Sequence, residues 1–192
     1  MSNAIAGILL AGGSGSRFGG GKLLAKLADG TPVGLAAWRA LKTSLPDPIV
    51  VVRAGDRDLA ALFEAAGARV VECADAAQGM SRSLVAGIEA AGSCGGWVIA
   101  LGDMPFVRSD TISAVAAAVA GGALIALPAI DGARGHPVGF ASRLKPDLLE
   151  ISGDEGARSV VRRHADQVRV IDTRDRGILQ DIDTRDDLAA RR

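Results

Sequence analysis

Residues 5–22 read IAGILLAGGSGSRFGGGK, an apolar run that turns into a glycine-rich loop. An uninterrupted apolar run predicts a strand of a parallel sheet that is buried on both faces. The loop after it carries six glycines, which let backbone N–H groups approach a ligand closely. Arg17 and Lys22 add two positive charges, so the stretch predicts a polyphosphate site at the end of a buried strand.

The P-loop is the first known motif to compare with this loop. Its pattern G-x-x-x-x-G-K-[ST] could end at Gly21 and Lys22. Ser16 then stands in place of the first glycine, and Leu23 stands where a metal-binding hydroxyl is required. The pattern therefore fails twice, and the sequence argues against a P-loop.

The dinucleotide fingerprint G-x-G-x-x-G is the second motif to compare. Started at Gly13, it meets Phe18 in place of its third glycine. It also expects an acid after the second strand, where this chain has Arg53. An arginine there can accept a 2′-phosphate, so an NADP-binding oxidoreductase stays open as an alternative of a different class.

The composition is that of one ordinary globular domain. The chain has 192 residues, 48% of them hydrophobic and 23% charged, with a formal net charge of zero. We expect a single domain over residues 1–192. We expect neither nucleic acid nor a membrane as a partner, because the chain has no basic excess and no apolar run of ~20 residues. Cys73 and Cys94 indicate free thiols in a reducing compartment, so the predicted location is the cytoplasm.

Apolar runs alternate with helical patterns along the chain. After the first run, strands are predicted at 49–52, 70–71, 97–101, 124–127, 136–140, 168–171 and 179–183. Helices are predicted to begin at Thr31-Pro32, at Asp56, at Ser81, at Ser109 or Asp110, at Ser142, after Gly156 and at Thr184. The alternation predicts a single three-layer α/β/α domain with a mostly parallel, mixed sheet. Ligands of such sheets bind at the carboxyl ends of the strands.

The loop does fit the pattern L-A-G-G-x-x-x-R-x-G-x-x-K, which runs from Leu10 to Lys22. This pattern resembles the nucleotide-binding loop of the MobA-like nucleotidyltransferases, which include the molybdenum cofactor cytidylyltransferases and guanylyltransferases. Further blocks are similar to stretches of that family and come in its order: 78–84 (QGMSRSL), 102–105 (GDMP), 135–138 (GHPV), 153–158 (GDEGAR) and 181–184 (DIDT). The resemblance covers nearly the whole chain and implies the Rossmann-like nucleotidyltransferase fold.

The resemblance implies a nucleotide site built from the loop and from the segment around the third predicted helix start. The implied nucleotide-binding residues are Leu10, Ala11, Gly12, Gly13, Ser14, Gly15, Arg17, Lys22, Gln78, Ser81 and Ser83. Arg17 and Lys22 would hold the triphosphate, and with Asp103 they are the candidate catalytic residues. Ser81 and Ser83 stand near a predicted helix start, so N-capping is an equally good interpretation of each.

Two aspartates are candidate ligands for Mg²⁺, which prefers oxygen and typically uses one or two carboxylates beside phosphates and water. Asp103 directly follows an apolar strand, and its alternative role is to cap the turn before Pro105. The second ligand lies in the block 181–184. Alternation in a strand would put Asp181 and Asp183 on one face, so spacing leaves both open, and the resemblance implies Asp183.

His136 and Arg158 are implied to bind the acceptor, which in the cofactor branch is the terminal phosphate of molybdopterin or of its molybdenum form. A phosphate acceptor is already ionised and needs no strong general base, so His136 is expected to bind it rather than deprotonate it. Arg158 has an alternative role as an ion-pair partner of Asp154. The implied product is a dinucleotide cofactor, and a molybdenum hydroxylase apoenzyme is the implied partner that receives it.

The reaction implied by the resemblance is Mg²⁺-dependent transfer of a nucleotide to that phosphate, with release of pyrophosphate. Blocks 78–84 and 135–138 look like the cytidylyl branch and favour CTP. The loop reads Leu-Ala-Gly-Gly at 10–13, as in the guanylyl branch, so GTP stays open, as does a sugar-phosphate acceptor. A non-catalytic nucleotide-binding relative is a third alternative, which the presence of Lys22 and both acids disfavours.

Overall fold

The computed structural model describes residues 4–13, 15–153 and 155–190, and for Ser16 the backbone alone. Within those ranges the strands are β1 (Ile5–Ala11), β2 (Ile49–Arg53), β3 (Arg69–Cys73), β4 (Gly96–Leu101), β5 (Ile125–Ile130), β6 (Ala133–Arg134), β7 (Val138–Ala141) and β8 (Val168–Asp172). The α-helices are α1 (Val33–Ser44), α2 (Arg57–Ala65), α3 (Met80–Ala91), α4 (Ser109–Ala120), α5 (Lys145–Leu149), α6 (Arg158–Arg163) and α7 (Arg185–Ala190). Short 3-10 turns lie in several of the connections.

These strands form one mixed sheet. Its order is β3-β2-β1-β4-β7-β5-β6, and β8 pairs with β5 as well. The pairs β1–β2, β1–β4, β2–β3 and β5–β8 are parallel, whereas β7 runs antiparallel to β4 and β5. The chain goes from β1 to β2 on one side and later returns to β4 on the other, which makes the carboxyl end of β1 a topological switch point. The predicted mostly parallel α/β/α fold is confirmed.

Helices cover both faces of the sheet, so β1 is buried from both sides. Ile8 and Leu9 are each 0% exposed, and they belong to two different hydrophobic clusters. The cluster of Leu9 contains residues of α1, α2 and α4. The cluster of Ile8 contains residues of α3, α5 and α6. Burial on both faces explains why this strand has no polar alternation.

Residues 179–183 do not form the strand that the pattern predicted. The segment instead runs past two other loops: Ile182 N–H donates to the carbonyl of Asp103 at 2.9 Å, and the Ile178 carbonyl accepts from His136 N–H at 3.0 Å. The second bond is one reason that β7 begins two residues later than the sequence predicted. Ile178 and Ile182 are 1% and 0% exposed, so their apolar spacing reflects anchoring in the core rather than strand pairing.

Two helix starts also differ from the prediction. The N-cap position of α1 is Pro32 rather than Thr31. α3 begins at Met80, after Gly79, which puts Ser81 and Ser83 inside the helix. The interpretation of these serines as N-caps is therefore wrong.

A buried carboxylate from a distant segment holds the start of α4. Asp175 is 5% exposed. It accepts hydrogen bonds from Arg108 N–H at 2.9 Å, from Thr111 Oγ1 at 2.8 Å and from Gly177 N–H at 2.9 Å. The N-cap position is Arg108, so the local cap predicted at 109–110 is wrong. A cap more than 60 residues away in sequence leaves no local signal.

Replacing Asp175 with alanine is expected to lower the free energy of unfolding by about 3 kcal/mol, because three donors in a buried setting lose their partner. Urea unfolding followed by circular dichroism measures the loss. Asp172→Ala is the matched control, since Asp172 is exposed on β8 and its loss is expected to stay within ~0.5 kcal/mol. Equal stability of the two variants would contradict the anchoring role of Asp175.

Candidate active site

A cleft of about 660 Å³ opens at the carboxyl ends of β1, β2 and β4. Its volume lies in the usual range for small-molecule sites, and its position is the switch point of the sheet, where α/β folds bind ligands. Of the site residues predicted from the sequence, those that line the cleft are Leu10, Ala11, Gly12, Gly13, Gly15, Lys22, Ser83 and Asp103.

The glycine loop turns sharply before it reaches Lys22. The three glycines of 19–21 have φ values of 88°, 89° and 64°, a region that residues with a side chain rarely adopt. Phe18 is 4% exposed and anchors the loop in the core, and the guanidinium of Arg185 lies 5.2 Å from the centroid of its ring. The loop therefore has a fixed anchor followed by a turn that only glycine accommodates well. Ser14, a predicted nucleotide-binding residue, lies outside the described residues.

Lys22 bridges the two aspartates that the resemblance implied as metal ligands. Its Nζ donates to Asp103 Oδ2 at 2.7 Å and to Asp183 Oδ1 at 3.1 Å. Arg17 Nη1 donates to the other oxygen of Asp183 at 3.2 Å. Of the two acids that spacing left open, Asp183 is thus in direct contact with Lys22, while Asp181 is exposed. The two cations and two of the predicted acids meet at one point beside the cleft.

The charge of Lys22 is stabilised where it lies. Its side chain is only 12% exposed. Burial by itself lowers the pKa of the ammonium group, but the hydrogen bonds and charges of Asp103 and Asp183 outweigh burial and raise the pKa above its ordinary value of 10.5. Lys22 is therefore a cation at neutral pH, and it offsets the repulsion between two neighbouring carboxylates.

Backbone contacts hold the two aspartates side by side. Gly102 N–H donates to a carbonyl of β1 at 2.9 Å, which fixes the chain just before Asp103. The Asp103 carbonyl accepts from Ile182 N–H at 2.9 Å, and Ile182 precedes Asp183. The carboxylate of Asp187, in the first turn of α7, accepts from Asp183 N–H at 3.1 Å. The position of Asp183 thus depends on β4, on the segment before it and on the helix after it.

Gly12 and Ser83 pack against each other at the cleft wall. Ser83 is 4% exposed and lies in the first turns of α3. A Cβ added to Gly12 would come within 2.7 Å of Ser83 Oγ and 3.5 Å of the Cβ of Ala76. The wall therefore has room for the serine hydroxyl only because residue 12 has no side chain.

Two other predicted nucleotide-binding residues do not line the cleft. Ser81 is 0% exposed, and its hydroxyl donates to the carbonyl of Gly153 at 2.6 Å, which ties α3 to the segment before α6. Gln78 is exposed, and its Nε2 donates to Asp75 Oδ1 at 2.8 Å. The structure gives Ser81 an anchoring contact and turns the amide of Gln78 toward its own 3-10 turn.

His136 and Arg158 do not line the cleft. Burial lowers the pKa of His136 below its ordinary value of 6.5, and the charge of Arg158 lowers it further, against the opposing charges of Asp103 and Asp181. His136 Nδ1 is buried and has no hydrogen-bond partner among the described residues. A neutral imidazole with an unused nitrogen therefore lies within electrostatic range of both Asp103 and Arg158. The predicted pairing of Arg158 with Asp154 falls outside the described residues.

Some residues that line the cleft were not predicted as site residues from the sequence. Arg53, Asp56, Asp58 and Met80 contribute to its wall. Asp56 was identified only as the cap of α2, and this is confirmed, because its Oδ1 accepts from Leu59 N–H at 3.4 Å. Their position in the sequence indicates the cleft for three of them, because residues 53–58 follow β2 and the carboxyl ends of parallel strands lie at one edge of the sheet.

Two kinds of feature are absent from the described ranges 4–13, 15–153 and 155–190. They contain no group of three or more His, Cys, Asp or Glu side chains arranged to hold a metal ion. They also contain no helix long and apolar enough to cross a membrane.

Two curated proteins are similar to this chain over nearly its full length. Nicotine blue oxidoreductase of Paenarthrobacter nicotinovorans is 30% identical, over 94% of this chain and 92% of that protein. Purine catabolism protein PucB of Bacillus subtilis strain 168 is 31% identical, over 93% of this chain and 91% of that protein.

Solved structures share the fold. Rv0371c of Mycobacterium tuberculosis H37Rv has a TM-score of 0.82 at 24% identity, covering 99% of this chain and 98% of that one. A second structure of it, in complex with manganese, has a TM-score of 0.77 at 24% identity, covering 97% of each chain. Molybdopterin-guanine dinucleotide biosynthesis protein A of Archaeoglobus fulgidus has a TM-score of 0.72 at 19% identity, covering 97% and 96%.

The family assignment follows from a match over most of the chain. The model of the MobA-like NTP transferase domain matches residues 7–168, a range that contains the glycine loop, the cleft wall and Asp103. The expected resemblance is confirmed, and the expected enzyme class is that of the family. The chain belongs to the MobA-like NTP transferase family, and it is a nucleotidyltransferase of that family.

Proposed function

We propose that this nucleotidyltransferase uses Mg²⁺ to transfer a nucleotide, CMP in preference to GMP, to the terminal phosphate of molybdopterin or of its molybdenum form. Pyrophosphate is the second product. The observation that carries the proposal is the contact of Lys22 with Asp103 and Asp183 beside a cleft walled by glycines. It supports a site where a metal and a cationic side chain act on the same polyphosphate.

The reaction brings two anions together. An oxygen of the acceptor phosphate forms a bond to the α-phosphorus of the triphosphate, and the bond from that phosphorus to the bridging oxygen breaks. The electron pair leaves on pyrophosphate. Neutralising charge and aligning the reactants are the main needs of such a step. Lys22 and Arg17 are suited to the first need, because both are cationic and both lie at the rim where the glycine loop ends.

The donor set fits a divalent cation. Oxygens of Asp103 and Asp183 lie within 3.1 Å of one Lys22 nitrogen, so the ammonium group marks a point that both carboxylates reach. Two carboxylates completed by phosphate oxygens and water are a typical Mg²⁺ environment. The manganese complex of the structurally similar Rv0371c supports a divalent metal in this fold. When bound, the metal would supply positive charge to the phosphates.

The choice of base rests on the cleft wall. The cytidylyl-like blocks 78–84 and 135–138 favour CTP, and the Leu-Ala-Gly-Gly sequence at 10–13 favours GTP. Gly12 creates the space that the hydroxyl of Ser83 occupies. We infer that these two residues act as a pair in forming the surface against which the nucleotide lies.

The acceptor side is assigned to His136 and Arg158. A phosphate monoester needs positive charge and hydrogen-bond donors. Arg158 is exposed and cationic, and His136 carries a buried nitrogen without a partner among the described residues. Besides burial, the charges of Arg158 and of Asp103 at the rim both act on the pKa of His136. The product would pass to a molybdenum hydroxylase apoenzyme, and the protein would act in the cytoplasm.

A second candidate function has one specific observation in its favour. The relative from Paenarthrobacter nicotinovorans is named an oxidoreductase, and Arg53 lines the cleft where a 2′-phosphate of NADP could bind. Hydride transfer, however, gives no role to Lys22 between two carboxylates. Thermal shifts with NADPH, CTP, GTP and ATP separate the two functions: stabilisation by NADPH alone would overturn the nucleotidyltransferase proposal.

Asp103→Asn and Asp183→Asn are each expected to lower the turnover number about 10²–10³-fold, as does the loss of other groups that stabilise transition-state charge. The assay is pyrophosphate release from CTP, GTP and ATP with Mg²⁺ and molybdopterin. Asp181→Asn is the matched comparison, two residues from Asp183 and exposed, and is expected to lose less than threefold. Full turnover by Asp103→Asn would remove its metal role.

Gly12→Ala is expected to weaken nucleotide binding about tenfold, because the new methyl group displaces the hydroxyl of Ser83. The double variant Gly12→Ala, Ser83→Ala is expected to recover most of that loss, since it removes the oxygen that the methyl group meets. Titrations with CTP and GTP measure the effect in a double-mutant cycle. Additive losses would show that the two positions act independently.

Acidification is expected to destabilise the protein partly through His136. Because its pKa is lower in the folded state than the ordinary 6.5, the unfolded chain binds the extra proton first, and the folded state loses stability as the pH falls through and below 6.5. Urea unfolding at pH 7.5 and 5.5 measures this for the wild type and for His136→Asn. The free energy of unfolding of the variant is expected to fall less between pH 7.5 and 5.5 than that of the wild type. An equal fall in both proteins would contradict the lowered pKa of His136.

A further inference from the structure

We propose that Lys22 fills the cation position between Asp103 and Asp183 in the nucleotide-free protein and yields it to a divalent metal only when a triphosphate draws its side chain away. Metal and nucleotide would then bind as a coupled pair, and the free protein would have little affinity for metal. The inference rests on the proposed function, because it takes the two aspartates as metal ligands. It adds an internal competitor for their site.

The geometry makes Lys22 a competitor. Its Nζ contacts one oxygen of each carboxylate, at 2.7 and 3.1 Å. A metal bound to those same oxygens would take the space of the ammonium group. It would also lie beside a like charge, which is unfavourable in a site of low exposure. The side chain must therefore leave before the carboxylate pair accepts a metal.

The side chain has a place to go. Lys22 lines the same cleft as Gly13 and Gly15, so a phosphate bound along the loop lies within reach of its long flexible stem. A Cβ built on Gly13 or on the three glycines of 19–21 meets nothing within 4 Å, whereas one built on Gly15 meets the Cβ of Lys22 at 3.3 Å, so the open space lies beside Gly13 and beside 19–21. Leu23, next in the chain, is 9% exposed. The backbone is thus anchored while the side chain has room to move.

Arg17 provides a second, weaker tie. Its side chain is 80% exposed, and among the described residues its hydrogen-bond partner is Asp183, at 3.2 Å. Exposed ion pairs of this kind contribute little, so a triphosphate can capture Arg17 at small cost. Removal of both cations from Asp183 leaves two carboxylates without counter-charge, and a divalent metal restores the balance.

The test measures Mn²⁺ binding to the full chain by electron paramagnetic resonance, without nucleotide and with saturating α,β-methylene-CTP, corrected for Mn²⁺ held by the analogue alone. Free Lys22→Met is expected to bind one Mn²⁺ at least tenfold more tightly than the free wild type. Saturation with the analogue is expected to tighten Mn²⁺ binding to the wild type by a similar factor. Asp103→Asn in the Lys22→Met background is expected to abolish the site.

Two further variants guard against an indirect effect. Lys22→Arg keeps a cation and is expected to bind Mn²⁺ as weakly as the wild type. If Lys22→Met acted by loosening the loop in general, Lys22→Arg would bind Mn²⁺ more tightly too. Lys42→Met is the surface control, because Lys42 lies in the last turn of α1, is 41% exposed and pairs with Asp47 beyond the end of that helix. It is expected to match the wild type.

The outcomes separate the two proposals. Suppose that the free wild type binds Mn²⁺ as tightly as free Lys22→Met, and that Asp103→Asn removes this binding. The proposal that the aspartates bind metal is then supported, and the proposal that Lys22 competes with the metal is wrong. If neither protein binds Mn²⁺ through Asp103, with or without the analogue, the metal role in the proposed function is itself wrong.

Discussion

The contact of one ammonium group with two carboxylates is the constraint on which the site depends. Asp103 and Asp183 lie 81 and 161 residues from Lys22 along the chain, so three remote segments must converge within hydrogen-bond distance. Two carboxylates that share one ammonium group repel each other, and the partly buried cation of Lys22 offsets that repulsion. The arrangement is stable only if contacts with the rest of the fold fix the backbone of each segment.

The sheet and its loops provide that support. Parallel pairing of β1 with β4 continues one residue past the end of β4, because Gly102 N–H donates to the carbonyl of Leu10 in β1, and this fixes Asp103 beside the carboxyl end of β1. The segment carrying Asp183 has no strand to place it. It depends on Asp175, buried against the start of α4, and on the bond from Ile182 to Asp103. The buried carboxylate of Asp175 and the backbone bond of Ile182 thus position the segment that carries Asp183, whereas sheet pairing positions the end of β4 that carries Asp103.

This difference explains how much the sequence could predict. The fold, the glycine loop and the end of β4 were predictable, because a doubly buried strand and a loop rich in glycine leave strong local signals. The strand predicted at 179–183 is wrong, because apolar Leu179 and Ile182 among polar residues suit a strand, whereas in the structure Leu179 is 45% exposed and only Ile182 of the two is buried in the core. The α4 cap was missed because Asp175 acts from another part of the chain. The family resemblance, rather than spacing, selected Asp183 over Asp181.

The same division applies to the two parts of the cleft. The glycine loop and its charges leave a pattern in the sequence, whereas the cleft wall is set by packing between distant side chains. Gly12 belongs to both. In the sequence it is one of several loop glycines, and its value as a signal for the base is ambiguous. In the structure the nearest neighbour of an added Cβ is Ser83 Oγ on α3, at 2.7 Å, a distance at which the hydroxyl would have to move. The packing at residue 12 is therefore a property of the pair, and the identity of residue 83 bears on whether a glycine or an alanine fits in the loop.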